Sequence, residues 1–579
     1  MNQRVVFLIG FPALWAVLWI SVAVLSSSTR PALPGLELPM LAVAWDMWQH
    51  DAFLISSMYT HHQGSSVSGG FPLYLWLTHG VWALFGVSDV WPRVVSSALG
   101  LSCTAMVAAL CRAVWPGWSG LGALAGTLAM GMIGWLVTSS MSGSQVLLTL
   151  CVLLAMYGVV MAWRHGTWNG FVLAGIGLGL GFLTDGLSIL IHVVPVALLA
   201  PLWAPALGWN TETVPQKNTD KEARLHGWRG WYMGLAGSVL IAVAVVSAWI
   251  IPLGMSAGTS VALDIVLGAF RAVSGGTGNL PQSWWVYLLA LGVFLFPWII
   301  WPPAWRAVVG TWSLMKDGGG RFCLIWLLFS VAASAVMPGT GVLDVALHVP
   351  SLAMIAAYLL YLRIDPELAR QETERRFGNG EAGLGLIVAL TGLVLIVVPL
   401  SGGIVSLPWW IEGLSGIWGA VLIAIAAAAA YAAPRLVIFR AAFVASLMVL
   451  VVLVGMLAAS PVLQTQVNVY PVAEHLRRVL DQDAVVAFAG PRGPVMDFPA
   501  RLERPLDTLD PEDSIGVVAW AVGNPGGKVV VVMDELPMGG KPDAIYPYRG
   551  EYIVFWPSET VADHPEIVVG PVRSEPPSG

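Results

Sequence analysis

The chain has 579 residues, of which 57% are hydrophobic and only 11% charged, with a formal net charge of -6. A soluble domain carries about 25% charged residues, so this chain cannot solvate its own surface in water, and its solvent must in large part be lipid. The acidic balance and the lack of a basic arm argue against a nucleic-acid partner.

In lipid, each backbone polar group must be satisfied within its own segment, so long apolar runs are helices. The expected crossings are 5–26, 92–113, 119–138, 143–163, 169–184, 186–204, 231–252, 284–304, 321–337, 343–362, 383–401, 415–433 and 436–458. The first run, Val5 to Leu25, is about 20 residues long, which exceeds a signal-peptide core and suits a retained helix. Phe71 to Phe85 is apolar but shorter, and its Trp and Tyr content suits a helix lying at the interface. The four cysteines (Cys103, Cys111, Cys151, Cys323) all fall in apolar stretches and form no CxxC or Cys/His cluster, so no zinc site or disulfide framework is supported.

Basic residues set the orientation. Arg4, the loop with Lys217, Lys221, Arg224 and Arg229, the loop with Arg306, Lys316 and Arg321, and the loop with Arg363, Arg370, Arg375 and Arg376 should face the cytoplasm. The alternate loops, Ser139 to Gly143, Ser256 to Ser283 and Pro338 to Gly341, should face outward. The first long loop and the C-terminal tail then also lie outside, provided Phe71–Phe85 does not cross.

After Ser460 the chain changes character. Pro471 to Gln482 reads as an amphipathic helix. Ala484–Ala489, Ile515–Val522, Lys528–Met533 and Tyr552–Trp556 read as strands separated by Gly/Pro turns. The expected fold is an all-α polytopic membrane bundle of about thirteen transmembrane helices with a small C-terminal α/β extracytoplasmic domain. The expected boundaries are 1–460 for the membrane domain, with its first outer loop at 27–91, and 461–579 for the tail.

The polar residues that could carry chemistry concentrate in that first loop, which is longer than a structural connection needs to be. It holds Glu37, Asp46, His50, Asp51, Tyr59, His61, His62 and Asp89. Leu38 to Phe53 has a helical period, so Asp46 and Asp51 either serve a site or merely face water. Glu37, at the start of that helix, is a functional acid or a helix N-terminal charge. His61 and His62 point apart on a helix or strand and lack a third ligand, which favours a surface loop over a metal. Asp185 interrupts an apolar stretch, and an ionisable group at membrane depth suggests function, although it also falls at the turn between two short helices. Asp344 and His348 stand at i and i+4, where they line a site or bond each other. Arg93 and Arg271 lie outside, against the positive-inside trend. Guanidinium suits a phosphate, and snorkelling to headgroups is the alternative.

The order of these parts resembles the C-type glycosyltransferase superfamily, in the branch of aminoarabinose–lipid A transferases and protein O-mannosyltransferases. Leu38 to Leu54 (LPMLAVAWDMWQHDAFL) is similar to the helix after that family's Asp-Glu pair. Phe71-Pro72-Leu73-Tyr74-Leu75-Trp76 up to Gly86 resembles its Lys-Pro-Pro-led segment, and Trp91-Pro92-Arg93 to Gly100 its Ala-Arg-Leu-Pro-Ser helix. Gly179 to Gly186 resembles its Gly-Leu-Ala-Phe-Leu-Thr-Lys-Gly turn, and Ser283 to Trp298 and Arg321-Phe322 fall in similar places. The chain departs from the pattern in its acids and lysines. The Asp-Glu pair is Leu36-Glu37, the Lys before Pro-Pro is Gly70-Phe71, the Thr-Lys-Gly lysine is Asp185, and a Ser-Lys-rich stretch is Val336 to Thr340.

The resemblance implies transfer of a sugar from a polyprenyl-phosphate donor to a lipid, glycan or protein acceptor. Transfer would occur on the periplasmic side of a bacterial inner membrane, by direct displacement with inversion. It implies Glu37 as the catalytic base, with Asp46 and Asp51 as lesser candidates, and Arg93 and Arg271 as phosphate partners. Asp185, Tyr59, His61, His62 and Asp344 complete the expected substrate and lipid-phosphate set. No cofactor and no divalent metal are expected. The alternatives are a non-catalytic relative acting as a membrane scaffold, to which the missing lysines point, and a transporter, against which stand the lack of an inverted repeat and the α/β tail.

Overall fold

The computed structural model describes residues 10–56, 71–118, 120–207, 227–274, 284–308, 311–336, 342–362, 382–400, 408–432, 437–490, 496–535 and 541–568. A helical element lies over every expected crossing. Among the described residues, seven helices are long and apolar enough to cross a membrane, or nine if each of two sharply bent pairs is one span. The bent pairs are Leu121–Met130 with Ile133–Ser140, at 66°, and Ser188–Leu198 with Ala200–Leu207, at 59°. The Leu73–Phe85 helix has 13 residues, short of the roughly 20 that a crossing needs. The Ser256–Ser283 stretch, read as a loop, contains a helix at Thr259–Ser274.

The chain divides into two compact units: Met1–Ser26, Gly70–Gly392 and Val421–Val454 form one, and Ser27–Gly69, Leu393–Ala420 and Gly455–Gly579 the other. In the first unit the Trp168–Asp185 helix packs between Gln145–His165 and Gly227–Ser256. Its glycines permit that close approach. A Cβ on Gly177 would come 2.7 Å from the Ala155 backbone nitrogen, and one on Gly175 2.6 Å from the Ser238 carbonyl oxygen. Small residues at such contacts are how membrane helices gain packing where lipid supplies no hydrophobic drive. The outward faces stay apolar, with Leu240, Val243, Ile251 and Met255 exposed along Gly227–Ser256. Aromatic rings collect at helix ends, where Trp115, Tyr358, Trp118 and Tyr361 stack in sequence. Amphipathic rings favour that position at a membrane interface.

In the second unit the tail forms a five-stranded sheet of order β2-β1-β3-β5-β4, with β1 at Val486–Ala489, β2 at Asp507–Leu509, β3 at Lys528–Met533, β4 at Ala544–Tyr548 and β5 at Glu551–Pro557. β1 runs parallel to β2 and β3, while β3/β5 and β5/β4 are antiparallel. Side chains alternate across the sheet. Val529, Val531, Met533, Val554 and Trp556 face a core with Val517, Ala521 and Val561. On β5, Phe555 meets His475 of the Tyr470–Leu480 helix, ring centroids 4.6 Å apart.

The Ile515–Val522 stretch, expected as a strand, is instead part of a helix, Ser514–Gly523. Its β-branched content misleads, because the local signal is a cap. The Asp513 carboxylate accepts the Gly516 amide at 2.9 Å, satisfying an otherwise orphaned N-terminal donor. Val517 and Ala521 then fall on one buried face.

Candidate functional site

The acid-bearing segment is built in three steps. After the Phe11–Thr29 helix the chain turns at residues 34–37, where the Leu33 carbonyl accepts the amides of Leu36, Glu37 and Leu38. Glu37 closes this turn from within. Its Oε2 accepts the Leu33 amide at 3.0 Å, and both its oxygens meet the Arg30 guanidinium, the longer contact being 3.2 Å from Nη2 to Oε1. Both side chains are buried, so the pair is a two-point, desolvated ion pair.

The Leu38–Gln49 helix follows, with a proline in its first turn as the missing N–H permits. Leu38, Leu41, Ala42, Val43, Ala44 and Met47 are its buried apolar residues. Trp45 donates Nε1–H to the Leu502 carbonyl at 3.0 Å. The Arg501 guanidinium lies over the Trp45 ring at 4.9 Å and the Phe498 ring at 4.1 Å. Trp45 is thereby anchored on the 498–502 segment of the tail.

Asp46 is buried within this frame. Its Oδ2 accepts the Ser56 hydroxyl at 2.6 Å, and its Oδ1 lies 3.2 Å from Nδ1 of His50. The same Nδ1 is 3.0 Å from the Asp46 carbonyl oxygen. Asp51 is exposed and holds a left-handed backbone, φ 50°, uncommon outside glycine.

In the other unit Arg93 opens the Val90–Val114 helix and is 1% exposed. It donates Nε–H to the Asp89 carbonyl at 3.1 Å, Nη1–H to the Ser26 carbonyl at 2.9 Å and Nη2–H to the Asp89 carboxylate. Arg271 lies in the last turn of the Thr259–Ser274 helix. Asp185 ends the Trp168–Asp185 helix and is exposed at the turn. The next residue, Gly186, has φ +61° and sits against Phe71, which a Cβ would meet at 2.4 Å. Asp344 and His348 lie in a 3-10 helix, Val342–His348. With three residues per turn, i and i+4 no longer share a face as they would in an α-helix. His348 is instead 6.2 Å, centroid to centroid, from His192, whose Nδ1 is 2.7 Å from the Ser330 hydroxyl. Tyr59, His61 and His62 lie outside the described residues. Among the described residues no three His, Cys, Asp or Glu side chains gather as metal ligands do.

The structure supplies partners that sequence reasoning did not assign: Arg30 for Glu37, and Ser56 and His50 for Asp46. Arg30 had one legible signal, a basic residue directly after the first apolar helix. Ser56 had none.

Comparison with known proteins bears on the family resemblance and on the fold. Residues 69–216 match the family model described as dolichyl-phosphate-mannose-protein mannosyltransferase. Over 240 residues the chain is 25% identical to undecaprenyl phosphate-alpha-4-amino-4-deoxy-L-arabinose arabinosyl transferase 1 of Pseudomonas fluorescens, a match covering 42% of this chain and 37% of that relative. The fold is similar to that of ArnT from Cupriavidus metallidurans bound to undecaprenyl phosphate. The TM-score is 0.69 at 16% identity, covering 94% of this chain and 98% of that one. The apo form of the same protein gives 0.68 over 97% and 99%.

Proposed function

We propose, for a multi-pass membrane chain that resembles the C-type glycosyltransferase superfamily in its aminoarabinose-transferase and protein-mannosyltransferase branch, that it transfers a sugar from a polyprenyl-phosphate donor to a lipid, glycan or protein acceptor. The observation that carries this reading is the match of residues 69–216 to a family named for a dolichyl-phosphate-linked donor. In the proposal the chain crosses a bacterial inner membrane about thirteen times, with the N-terminus cytoplasmic. The domain boundary falls at 460/461, and the first loop and tail face the periplasm.

The site is assigned to the 30–56 segment, with Glu37, Asp46 and Asp51 as its carboxylates. Arg93 and Arg271 are the phosphate partners. Three Arg93 donors already serve Asp89 and Ser26. Tyr59, His61, His62, Asp185 and Asp344 line the substrate path. The chemistry asks for a group that takes the acceptor's proton and for cations that steady the departing phosphate; no resident metal or cofactor is invoked.

A second reading, a non-catalytic relative acting as a scaffold, is favoured by one observation: Glu37 and Arg93 are both buried and held by Arg30 and Asp89. One assay separates the two. The purified chain in lipid nanodiscs is given polyprenyl-phosphate sugars, and release of free polyprenyl phosphate is followed by mass spectrometry. Release that needs both an acceptor and Asp46 supports transfer. A wild-type protein that releases none with any donor supports the scaffold.

A further inference from the structure

Within the segment just assigned, we propose that the group receiving the acceptor's proton is His50, held in place by Asp46, and that the acceptor presents a hydroxyl rather than a phosphate. This rests on the glycosyl-transfer reading and sharpens it.

The Leu38–Gln49 helix has His50 as its C-cap, and Asp46 and His50 stand one turn apart on one face. Both neighbours of His50 Nδ1 are acceptors: the Asp46 carbonyl at 3.0 Å and the Asp46 carboxylate at 3.2 Å. In the neutral ring Nδ1 therefore carries the proton, and Nε2 keeps its lone pair. The two side chains sit in unlike surroundings. The Asp46 side chain is 9% exposed and is fixed from behind by the Ser56 hydroxyl, whereas the imidazole is 48% exposed. Among the described residues Nε2 has no partner. An ordinary surface pair would have both members in water. Here a buried carboxylate orients a half-exposed ring, and Trp45, one residue before Asp46, is pinned by Leu502 and Arg501. A base oriented by a third group is the arrangement that activates a weak nucleophile.

In the reaction, the acceptor oxygen bonds to the anomeric carbon as that carbon's bond to the phosphate oxygen breaks. The electron pair of the broken bond leaves with the polyprenyl phosphate. The acceptor's proton passes to His50 Nε2, the Asp46 carboxylate stabilises the imidazolium, and the proton then goes to water. A phosphate monoester is already ionised near neutrality, its second pKa being about 6, and needs no such base. An alcohol does need one, so the dyad selects a hydroxyl acceptor. Asp46 acts through His50 and is a positioning residue.

The test has two arms on the full-length protein in nanodiscs. In the first, ¹⁵N-histidine NMR, with His50 assigned by its loss in His50→Gln, reports the tautomer. The Nδ1–H form is expected, and Asp46→Asn should deplete it. In the second, transfer from a polyprenyl-phosphate sugar to a methyl glycoside is measured. His50→Ala should lower kcat about 100-fold, in the range of general-base loss, with KM little changed, and added imidazole should restore part of the rate. An Nε2–H tautomer for His50, or a His50→Ala rate within twofold of wild type, overturns the proposal. A wild-type protein inactive with every donor overturns the transfer reading and the hydroxyl acceptor with it, while the tautomer still reports whether the dyad is formed.

Discussion

One residue-scale arrangement decides how the acid-bearing segment behaves. The Arg30–Glu37 pair is buried on both sides, and removing one partner of such a pair strands the other charge in a low dielectric. Glu37→Gln should therefore destabilise the protein by about 3 kcal/mol or more, seen as a lower thermal midpoint in detergent. The double change Arg30→Met with Glu37→Leu should recover much of that loss. Equal loss in single and double variants would mean that the pair is not the source. Glu37→Ala thus removes a structural tie as well as a carboxylate, and any fall in activity must be read beside stability.

His475 in the tail is a second residue with a consequence. Its ring packs on Phe555 and Tyr546. Burial holds its pKa below the ordinary histidine value, Arg478 and Lys528 push the same way, and Asp543 opposes them. The unfolded tail then takes up this proton at a higher pH than the folded tail. The stability contribution is intact above the ordinary value of about 6.5 and drains away as pH falls through it. Hydrogen exchange in β4 and β5, corrected for intrinsic rates, should quicken between pH 7.5 and 5.5, and His475→Gln should remove that increment. Protection independent of pH in the wild type would contradict this.

Elements differ in how far the sequence foretells them, and the differences have physical causes. The membrane helices were legible because lipid leaves an apolar run no alternative to internal hydrogen bonding. Lys528–Met533 was legible from its valines. Asp507–Leu509 and Ala544–Tyr548 were not, since one is three residues long and the other contains Pro547, which reads as a strand breaker. The Ser514–Gly523 helix was misread because propensity gave way to capping and packing. Asp513→Ala should cost that helix about 1 kcal/mol, measured as faster exchange of its first-turn amides. The Trp168–Asp185 helix makes the complementary point about packing. Gly177→Val would drive a branched side chain into the Ala155 backbone, and overpacking of this kind costs about 1–3 kcal/mol. The expected readout is a lower thermal midpoint, and an unshifted one would mean that the helices separate without penalty.

At the scale of the whole molecule, composition alone placed the chain in a membrane, and the order of its motifs gave the superfamily that the comparisons support. The site was legible in part. Glu37 and Asp46 stood out as acids in an apolar, helical pattern, and His50 stands at i+4 from Asp46, a spacing the helical period makes legible, but Arg30 and Ser56 are set by how residues 30–37 and 46–56 turn back on themselves, which no spacing rule encodes. Asp344 and His348 show the same limit, because the 3-10 geometry of Val342–His348 changes which residues share a face.

The central claim is that the 30–56 segment meets the headgroup of a polyprenyl-phosphate sugar. Photo-crosslinking in nanodiscs with a polyprenyl phosphate carrying a diazirine beside its phosphate tests it most directly. The account predicts adducts on peptides spanning Glu37 to Ser56, displaced by unlabelled polyprenyl-phosphate sugar. Saturable labelling confined to other segments, or labelling that excess lipid does not displace, would contradict it.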